Sequence, residues 1–313
     1  MSLSSPCHGD QETRHDEVMK KSLFALLKST CVLNIIAWMN RRKVAILSYH
    51  SVVEGDDPRR VDSYKQHLPL RLFQEQLDYL KQNRTVISLG DYLQARREHR
   101  RLPNYAVVLT FEDGFEDFYS VAAGALAQRQ LPATVFVITD RAFGRLPPNG
   151  ESFLTWQQIQ ELARSGIEIG SHTCSHPRLP DLPLHEVRRE LADSRVAIMD
   201  HVNRADVPLS FPYGRTSESI RDLAQSLGYS CAITTTLGHN DKQADIFGLR
   251  RTTIASDDDL ATFAARVSGL TWWMSAVRRF IFGGGNTAEF EPESPRSYDP
   301  LTAETYDYAE PTG

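Results

Sequence analysis

Short apolar segments rich in β-branched residues alternate along this chain with longer amphipathic segments, and this alternation limits the fold more than any other feature. Strand-helix alternation is typical of crossover units, in which each helix returns the chain to lay the next strand parallel to the last. We therefore predict a parallel sheet or barrel. The strand-like runs are Val44–Tyr49, Thr85–Leu89, Ala106–Phe111, Ala133–Ile138, Ile167–Gly170, Ser230–Thr234 and Leu249–Ile254. The helix-like segments are Leu72–Gln82, Asp91–Glu98, Phe115–Arg129, Thr155–Ser165, Leu184–His201, Glu218–Leu227 and Asp258–Val267.

The two ends of the chain differ in composition from its middle. The net charge of the 313 residues is −5, but residues 286–313 hold seven acidic residues and one basic residue, which leaves the rest at +1. A nearly neutral body gives no sign of nucleic-acid binding. We predict an N-terminal extension with an apolar helix at 1–43, one domain at 44–269, an amphipathic segment at 270–285 and an acidic disordered tail at 286–313.

Two apolar segments raise the question of a membrane. Ser22–Met39 is interrupted by Lys28 and Asn34, which makes it marginal as a span. We interpret it as an amphipathic helix lying on the domain or on a membrane surface, and we see no cleavable signal peptide. Thr271–Phe282 is a weaker surface candidate, and packing on the domain is its alternative. The four cysteines form no CxxC pair, which favours a reducing compartment. We predict a cytoplasmic protein that contacts the inner membrane surface.

Polar residues follow four of the strand-like segments, where a parallel fold would bring them together. The carboxyl ends of parallel strands meet on one face, and sites gather there. The four places are His50 in "ILSYHSV", Glu112 and Asp113 in "LTFEDGF", His172 and His176 in "IEIGSHTCSHPRL", and Leu209–Arg215, "LSFPYGR".

The histidine pair has a spacing that suits one divalent metal. His172 and His176 are four residues apart, and a helical turn would place both imidazoles on one side. One added carboxylate completes three protein ligands and leaves positions open for water and substrate, as in a hydrolytic site. Zinc is the expected ion, and cobalt, nickel and iron also suit these ligands. Taken alone, however, two histidines at this spacing often arise by chance on a surface.

The adjacent acids Glu112 and Asp113 are expected to have different tasks. Neighbouring strand residues point to opposite sides, so one can bind the metal while the other handles a proton. The alternative is structural, since an acid at the start of a helix after Gly114 would act as a cap or favour the helix dipole. A cap would account for one acid more readily than for two.

Taken together and in this order, "LTFEDG", "SHTCSH" and "FPYG" resemble the three signature motifs of the polysaccharide deacetylase family with the NodB homology domain, a carbohydrate esterase family 4-like group. "LSYHSV" and "LRRTTI" extend the resemblance over roughly Ala45 to Val267. It implies a distorted (β/α) barrel of about seven parallel strands. It also implies a divalent metal held by Asp113, His172 and His176.

The resemblance assigns the remaining roles with one departure. The family's catalytic base is an Asp, and Glu112 stands at that position. Its extra methylene moves the carboxylate by about one ångström, a displacement that can cost on the order of a hundredfold in rate unless the loop adjusts. Tyr213 matches the residue whose backbone N–H donates to the oxyanion.

The proton donor and the arginine that orients the base are less plainly marked. Members that begin with a "YHxV" strand use that early histidine as the acid, which favours His50; His239 is the rival, and His50 could instead have only a structural role. For the arginine, Arg215 and Arg250 are the two candidates.

These readings support a metal-dependent hydrolase that removes N-acetyl, or O-acetyl, groups from a carbohydrate polymer or oligosaccharide. The alternative is a deacetylase fold that binds carbohydrate with weakened or no turnover, because of Glu112. A hydrolase of another C–N bond that works without metal is a third reading, against which the complete Asp-His-His set argues. The expected partner is an acetylated carbohydrate.

Overall fold

The computed structural model describes residues 32–55, 67–144, 152–274 and 276, and in them seven parallel strands close into a barrel. The ring is closed by β1 (Ala45–Tyr49) and β5 (Ala106–Phe111), which pair in register from Ala45 with Val107 to Tyr49 with Phe111. The predicted barrel of parallel strands is confirmed. Around the ring the strands are β1 (Ala45–Tyr49), β10 (Leu249–Thr253), β9 (Ala232–Leu237), β8 (Leu209–Ser210), β7 (Glu168–Ser171), β6 (Thr134–Val137) and β5 (Ala106–Phe111).

Helices pack around this ring. A single turn of π-helix, Phe118–Ala122, precedes α4, so the predicted helix at Phe115–Arg129 begins three residues later than expected. The α-helices are α1 (Val32–Asn40), α2 (Leu70–Asn83), α3 (Leu89–Arg97), α4 (Ala123–Arg129), α5 (Thr139–Ala142), α6 (Trp156–Arg164), α7 (Leu184–Val202), α8 (Glu218–Ser226) and α9 (Leu260–Ser268).

The seven barrel strands are not the seven predicted. The Thr85–Leu89 run yields only β4 (Thr85–Val86), which pairs with the start of β5 outside the closed ring. Its place in the ring is taken by β8, whose two residues are too few to show a strand pattern in the sequence. Two further short strands, β2 (Ser51–Val53) and β3 (His67–Pro69), pair with each other beside the barrel.

Barrel strands are buried on both faces, which explains why they read as continuous apolar runs. In β5, Val107 and Leu109 pack outward against the helices, and Ala106 and Val108 fill the barrel interior. Side chains alternate between the two faces of the strand, and the inward-facing ones become polar towards its carboxyl end, where Thr110 is followed by Glu112. The sequence of β5 therefore delivers one acid to the interior of the barrel.

The described part of the N-terminal extension is helical and packs on the domain. Leu33 and Ile36 of α1 belong to one apolar cluster with Ala264, in the middle of α9, and Leu270, just beyond its end. Within 32–55, 67–144, 152–274 and 276, no helix is both long and apolar enough to cross a bilayer. Residues 22–31 of the predicted apolar helix, most of 275–285 and the predicted acidic tail lie outside the described residues.

Candidate active site

Three predicted ligands meet at the carboxyl end of the barrel. His172 Nε2 lies 3.3 Å from Asp113 Oδ1, His176 Nε2 lies 3.4 Å from the same oxygen, and the two nitrogens are 3.2 Å apart. Ligand atoms of a tetrahedral zinc site with bonds of about 2.0–2.1 Å are separated by about 3.3 Å. The nearly equal sides of this triangle therefore fit a single divalent cation, and the donor set is one that zinc accepts.

The local backbone that forms the triangle is left-handed rather than helical. The expectation of a helical turn over the histidines is wrong. His172 directly follows β7, with its N–H donating to the carbonyl of Val137, and Thr173 and His176 have φ of 68° and 66°. The Thr173 hydroxyl accepts the N–H of His176 at 3.0 Å and stabilises this turn. Asp113 has φ of 68° as well. Such backbone conformations cost free energy and cluster at functional sites.

Both acids of "LTFEDGF" reach the same imidazole, so the expectation that they point to opposite sides is wrong. Glu112 Oε2 lies 3.5 Å from His172 Nε2, the atom that Asp113 also approaches. The strand ends at Phe111, and the left-handed turn at Asp113 brings its side chain back over the barrel. Neither acid caps a helix, because the next helical turn begins only at Phe118.

The Glu112 carboxylate is buried and held by two side chains. Arg251 Nη1 lies 2.7 Å from Oε1, and the Ser210 hydroxyl donates to Oε2 at 2.6 Å. Arg251 also donates to the Ser210 hydroxyl at 3.0 Å, which joins all three side chains. Burial alone would raise the pKa of Glu112, but the Arg251 guanidinium, followed by His172 and Ser210, holds this pKa below its usual value. Glu112 is therefore charged at neutral pH.

Hydrogen bonds and charges prepare the histidines to act as ligands. The carbonyl of Ser210 accepts the Nδ1–H of His172 at 2.8 Å, so the lone pair of Nε2 faces the triangle. Burial, and next the neighbouring His172, lowers the pKa of His176 to about 4. Burial raises the pKa of Asp113, but the hydrogen bond to His172 and the charge of His176 outweigh it and lower that pKa. Burial lowers the pKa of His172, but its hydrogen bond to Asp113 and the charge of Glu112 outweigh burial and raise it. Neutral imidazole and ionised carboxylate are the ligand forms that a metal requires, so His176 and Asp113 are ready to bind, while His172 must release any proton it carries when the metal binds.

His50 lies beside this cluster, at the end of β1. Tyr49 pairs with Phe111 and its carbonyl accepts the N–H of Glu112, so His50 follows directly beside the two acids. Burial lowers the pKa of His50, and the negative charge of Asp113 acts in the opposite direction. The next residue, Ser51, is anchored: its hydroxyl donates to Asp117 and lies 2.8 Å from His67 Nδ1. The backbone at His50 is therefore held by β1 before it and by the contacts of Ser51 after it.

His239, the rival proton donor, lies at the opposite end of the barrel. It shares a small cavity with Asn40, with Ala45 at the start of β1 and with Ala106 at the start of β5. Both of its ring nitrogens are buried and have no hydrogen-bond partner within the described part of the chain. Its position excludes a direct role in the cluster at the carboxyl end.

Tyr213 sits on a strained turn next to the histidines. Its φ is 56°, and its ring centroid lies 4.7 Å from that of His176. The following Gly214 has φ of 63°, and a Cβ there would lie 2.1 Å from Thr235 Oγ1, so only glycine allows this close approach to β9. The turn therefore holds the backbone of Tyr213 near the predicted metal ligands.

A carboxylate from α7 ties down the loop between the two histidines. Glu190 Oε2 accepts the backbone N–H groups of Cys174 and Ser175 at 2.9 and 3.0 Å, and Oε1 accepts the Ser175 hydroxyl at 2.7 Å. The loop follows β7 and is no longer part of the sheet. These charge-assisted hydrogen bonds therefore satisfy backbone N–H groups that strand pairing would otherwise satisfy. Glu190 therefore positions the loop that presents His172 and His176.

Two of these residues were not found from the sequence. Arg251 takes the place for which Arg215 and Arg250 were the candidates, and both expectations are wrong: Arg250 faces solvent, while Arg251 is buried. The alternation of sides in "LRRTTI", with Leu249 in the interior, was a signal that could have selected Arg251. No sequence signal marked Glu190, because its contact depends on how α7 packs against the loop.

Comparisons with known proteins agree with this arrangement. A family model described as polysaccharide deacetylase matches residues 99–232, a range that contains Glu112, Asp113, His172, His176 and Tyr213. The Bacillus subtilis (strain 168) protein YxkH, which carries the name polysaccharide deacetylase, is 27% identical over 75% of this chain and 80% of its own length. The poly-beta-1,6-N-acetyl-D-glucosamine N-deacetylase of Escherichia coli (strain K12) is 29% identical over 74% of this chain, which spans only 39% of that relative. Among solved structures, the Streptococcus pyogenes deacetylase PplD in complex with acetate has a TM-score of 0.65 at 24% identity, covering 72% of this chain and 98% of that one.

Proposed function

The chain belongs to the polysaccharide deacetylase family, and from this premise we propose that it is a metal-dependent hydrolase that removes N-acetyl groups from a carbohydrate polymer or oligosaccharide. The observation that carries the proposal is the triangle of Asp113, His172 and His176 with the ionised Glu112 at its edge. Relatives named as deacetylases of N-acetylglucosamine polymers and of chitooligosaccharides support the substrate class. Zinc is the proposed ion, with cobalt and nickel as alternatives.

The three ligands would hold a divalent cation, which when bound supplies a Lewis acid for the amide carbonyl and for water. The residues of this chain then account for the proton transfers. Glu112 takes a proton from the attacking water, since its pKa lies below neutrality and it is aimed at the triangle. Arg251 and Ser210 keep its carboxylate in that orientation.

The remaining groups complete amide hydrolysis. The backbone N–H of Tyr213 donates to the oxyanion that forms at the former carbonyl oxygen. His50 gives a proton to the departing nitrogen, and because burial lowers its pKa, the imidazole releases that proton more readily once it carries it. Water and the N-acetyl group thus yield acetate and a free amino sugar.

The test is acetate release from N-acetylglucosamine oligomers by protein stripped with a chelator and reloaded with zinc, cobalt or nickel. Asp113→Asn should lose both bound metal and activity, while Asp181→Asn, which changes an exposed aspartate outside the site, should retain both. Metal binding and acetate release that are equal in wild type and Asp113→Asn would end the proposal.

A catalytically weakened carbohydrate-binding protein is the competing proposal, and the fit of Glu112 argues against it. The longer side chain of Glu112 is held in one position, since its two carboxylate oxygens contact Arg251 and Ser210. Binding of the oligomers without acetate release, in protein with one equivalent of metal, would favour the competitor.

We infer that α1 makes a peripheral contact with a membrane surface. The cytoplasmic location of the protein stays a prediction. Ile35, Trp38 and Met39 are each more than half exposed on this helix, and the Arg41 guanidinium lies 4.1 Å from the Trp38 ring centroid. Exposed aromatic and aliphatic groups beside cations suit an anionic lipid surface. Sedimentation with anionic vesicles should therefore be lost in Trp38→Ser/Met39→Ser, and its persistence would contradict the contact.

A further inference from the structure

An open groove of about 470 Å³ lies on the outer wall of the barrel, beside the catalytic face. We call it the arginine groove and define it by Pro180, Gly214, Arg215, Thr216, Arg221 and Thr236. It lies between the loop after β8, the first turns of α8 and the outer side of β9. No residue of the mechanism lines it.

The arginine groove shares a rigid loop with the active site. Gly214 and Arg215 directly follow Tyr213, whose ring packs on His176 at 4.7 Å between centroids. Two residues of chain span at most about 7 Å, so the groove begins within about one sugar unit of that tyrosine. Because Gly214 lies tightly against Thr235, the loop presents Arg215 from a fixed backbone. An oligosaccharide with its acetylated sugar at the triangle would extend over this edge.

The chemistry of the arginine groove selects anions. Its lining contains two guanidinium groups and threonine hydroxyls and no carboxylate. No described acid forms an ion pair with Arg215, and Arg221 has only a long contact of 3.9 Å from Nε to Asp245, which is itself largely exposed. Guanidinium groups bind carboxylates and phosphates through paired N–H donors, and threonine hydroxyls add donors of their own.

We propose that the arginine groove binds an anionic group of the substrate, a carboxylate or a phosphate ester, carried by a sugar next to the one that is deacetylated. This inference rests on the proposed function and deepens it, because it assigns the enzyme to acidic acetylated glycans. Arg215 and Arg221 are specificity-determining residues in it, and neither takes part in the chemistry at the triangle.

The test compares three acetylated oligosaccharides of equal length: one neutral, one with a hexuronic acid and one with a sugar phosphate. Wild type should show a kcat/KM for at least one acidic oligosaccharide about tenfold above the neutral one, with the preferred anion identifying the source of the charge. Arg215→Gln/Arg221→Gln should lose this preference and leave the neutral substrate unchanged. Arg101→Gln, an exposed arginine in the loop before β5, is the matched control.

Direct binding separates a failure of this inference from a failure of the proposed function. Titration of the same three oligosaccharides into Asp113→Asn should show an anion preference that disappears when Arg215 and Arg221 are also changed, whether or not acetate is ever released. Equal affinity of acidic and neutral oligosaccharides, or a preference that survives the loss of both arginines, would overturn the assignment.

Discussion

Arg251 Nη1 lies 2.7 Å from Glu112 Oε1 across the barrel interior, and the two residues are only 5% and 1% exposed. A carboxylate this deeply buried would be protonated if it stood alone, since burial penalises the charged form. The arginine reverses that effect and keeps the pKa of Glu112 below its usual value. The proposed base is therefore ready at neutral pH because of a residue from a strand that is distant in sequence.

Replacing the arginine should raise the pKa of the base. In Arg251→Met the buried charge of Glu112 is uncompensated, so this carboxylate should take up a proton at a higher pH than in wild type. The acidic limb of the kcat/KM profile should shift upward by one pH unit or more, and unfolding should cost about 3–5 kcal/mol less. Arg250→Met, at the exposed neighbouring position, should change neither measurement. An unshifted acidic limb in Arg251→Met would show that Glu112 does not set it.

Shortening the base should slow the enzyme, although aspartate is the residue that the family carries. Glu112 uses its full length to contact Arg251 with one oxygen and Ser210 with the other. We expect Glu112→Asp to lose at least tenfold in kcat, because the shorter side chain can no longer contact both partners at once. Glu112→Gln should lose more than a hundredfold. Metal content should stay at one equivalent in both variants. A faster Glu112→Asp protein would show instead that the glutamate is a handicap.

The loop between the histidines should depend on Glu190 for its metal affinity. Glu190→Ala removes three hydrogen bonds from the 172–176 segment and should weaken metal binding by about 10- to 100-fold, as loss of an outer-shell partner does. Glu190→Gln keeps one acceptor oxygen and should fall in between. The control is Glu186→Gln, one turn earlier on α7. A purely structural role would lower stability and leave the metal dissociation constant of the folded protein unchanged.

The barrel and most residues of the candidate active site could be predicted from the sequence, because both follow from local sequence patterns. Six of the seven ring strands overlap predicted apolar runs, and the ligands follow from the rule that strand ends converge. The sequence could not show β8, whose pairing at Leu209 with both β7 and β9 is set by its neighbours in the ring. Nor could it show the left-handed backbone at Asp113 and His176, since non-glycine residues adopt that region uncommonly and nothing in the sequence marks which of them will do so.

His239, far from the active site, should make the fold sensitive to acid. Burial, and after it the positive charge of Lys43, lowers the pKa of this imidazole to about 4, against 6.5 for an exposed histidine. The native state therefore binds fewer protons than the unfolded chain between these two values, so stability is full above pH 6.5 and falls as the pH drops towards 4. A shift of this size is worth about 3 kcal/mol.

His239→Leu removes the titrating group and places an apolar side chain where both ring nitrogens lack partners among the described residues. Urea unfolding at pH 7 and pH 5 should then show a smaller loss of stability for the variant than for wild type, and His185→Gln, at an exposed site, should keep the wild-type difference. Other histidines with lowered pKa, such as the half-buried His50, contribute equally to all three proteins, so the comparison isolates His239. Identical losses in wild type and His239→Leu would mean that the imidazole is protonated, or hydrated, in the native state.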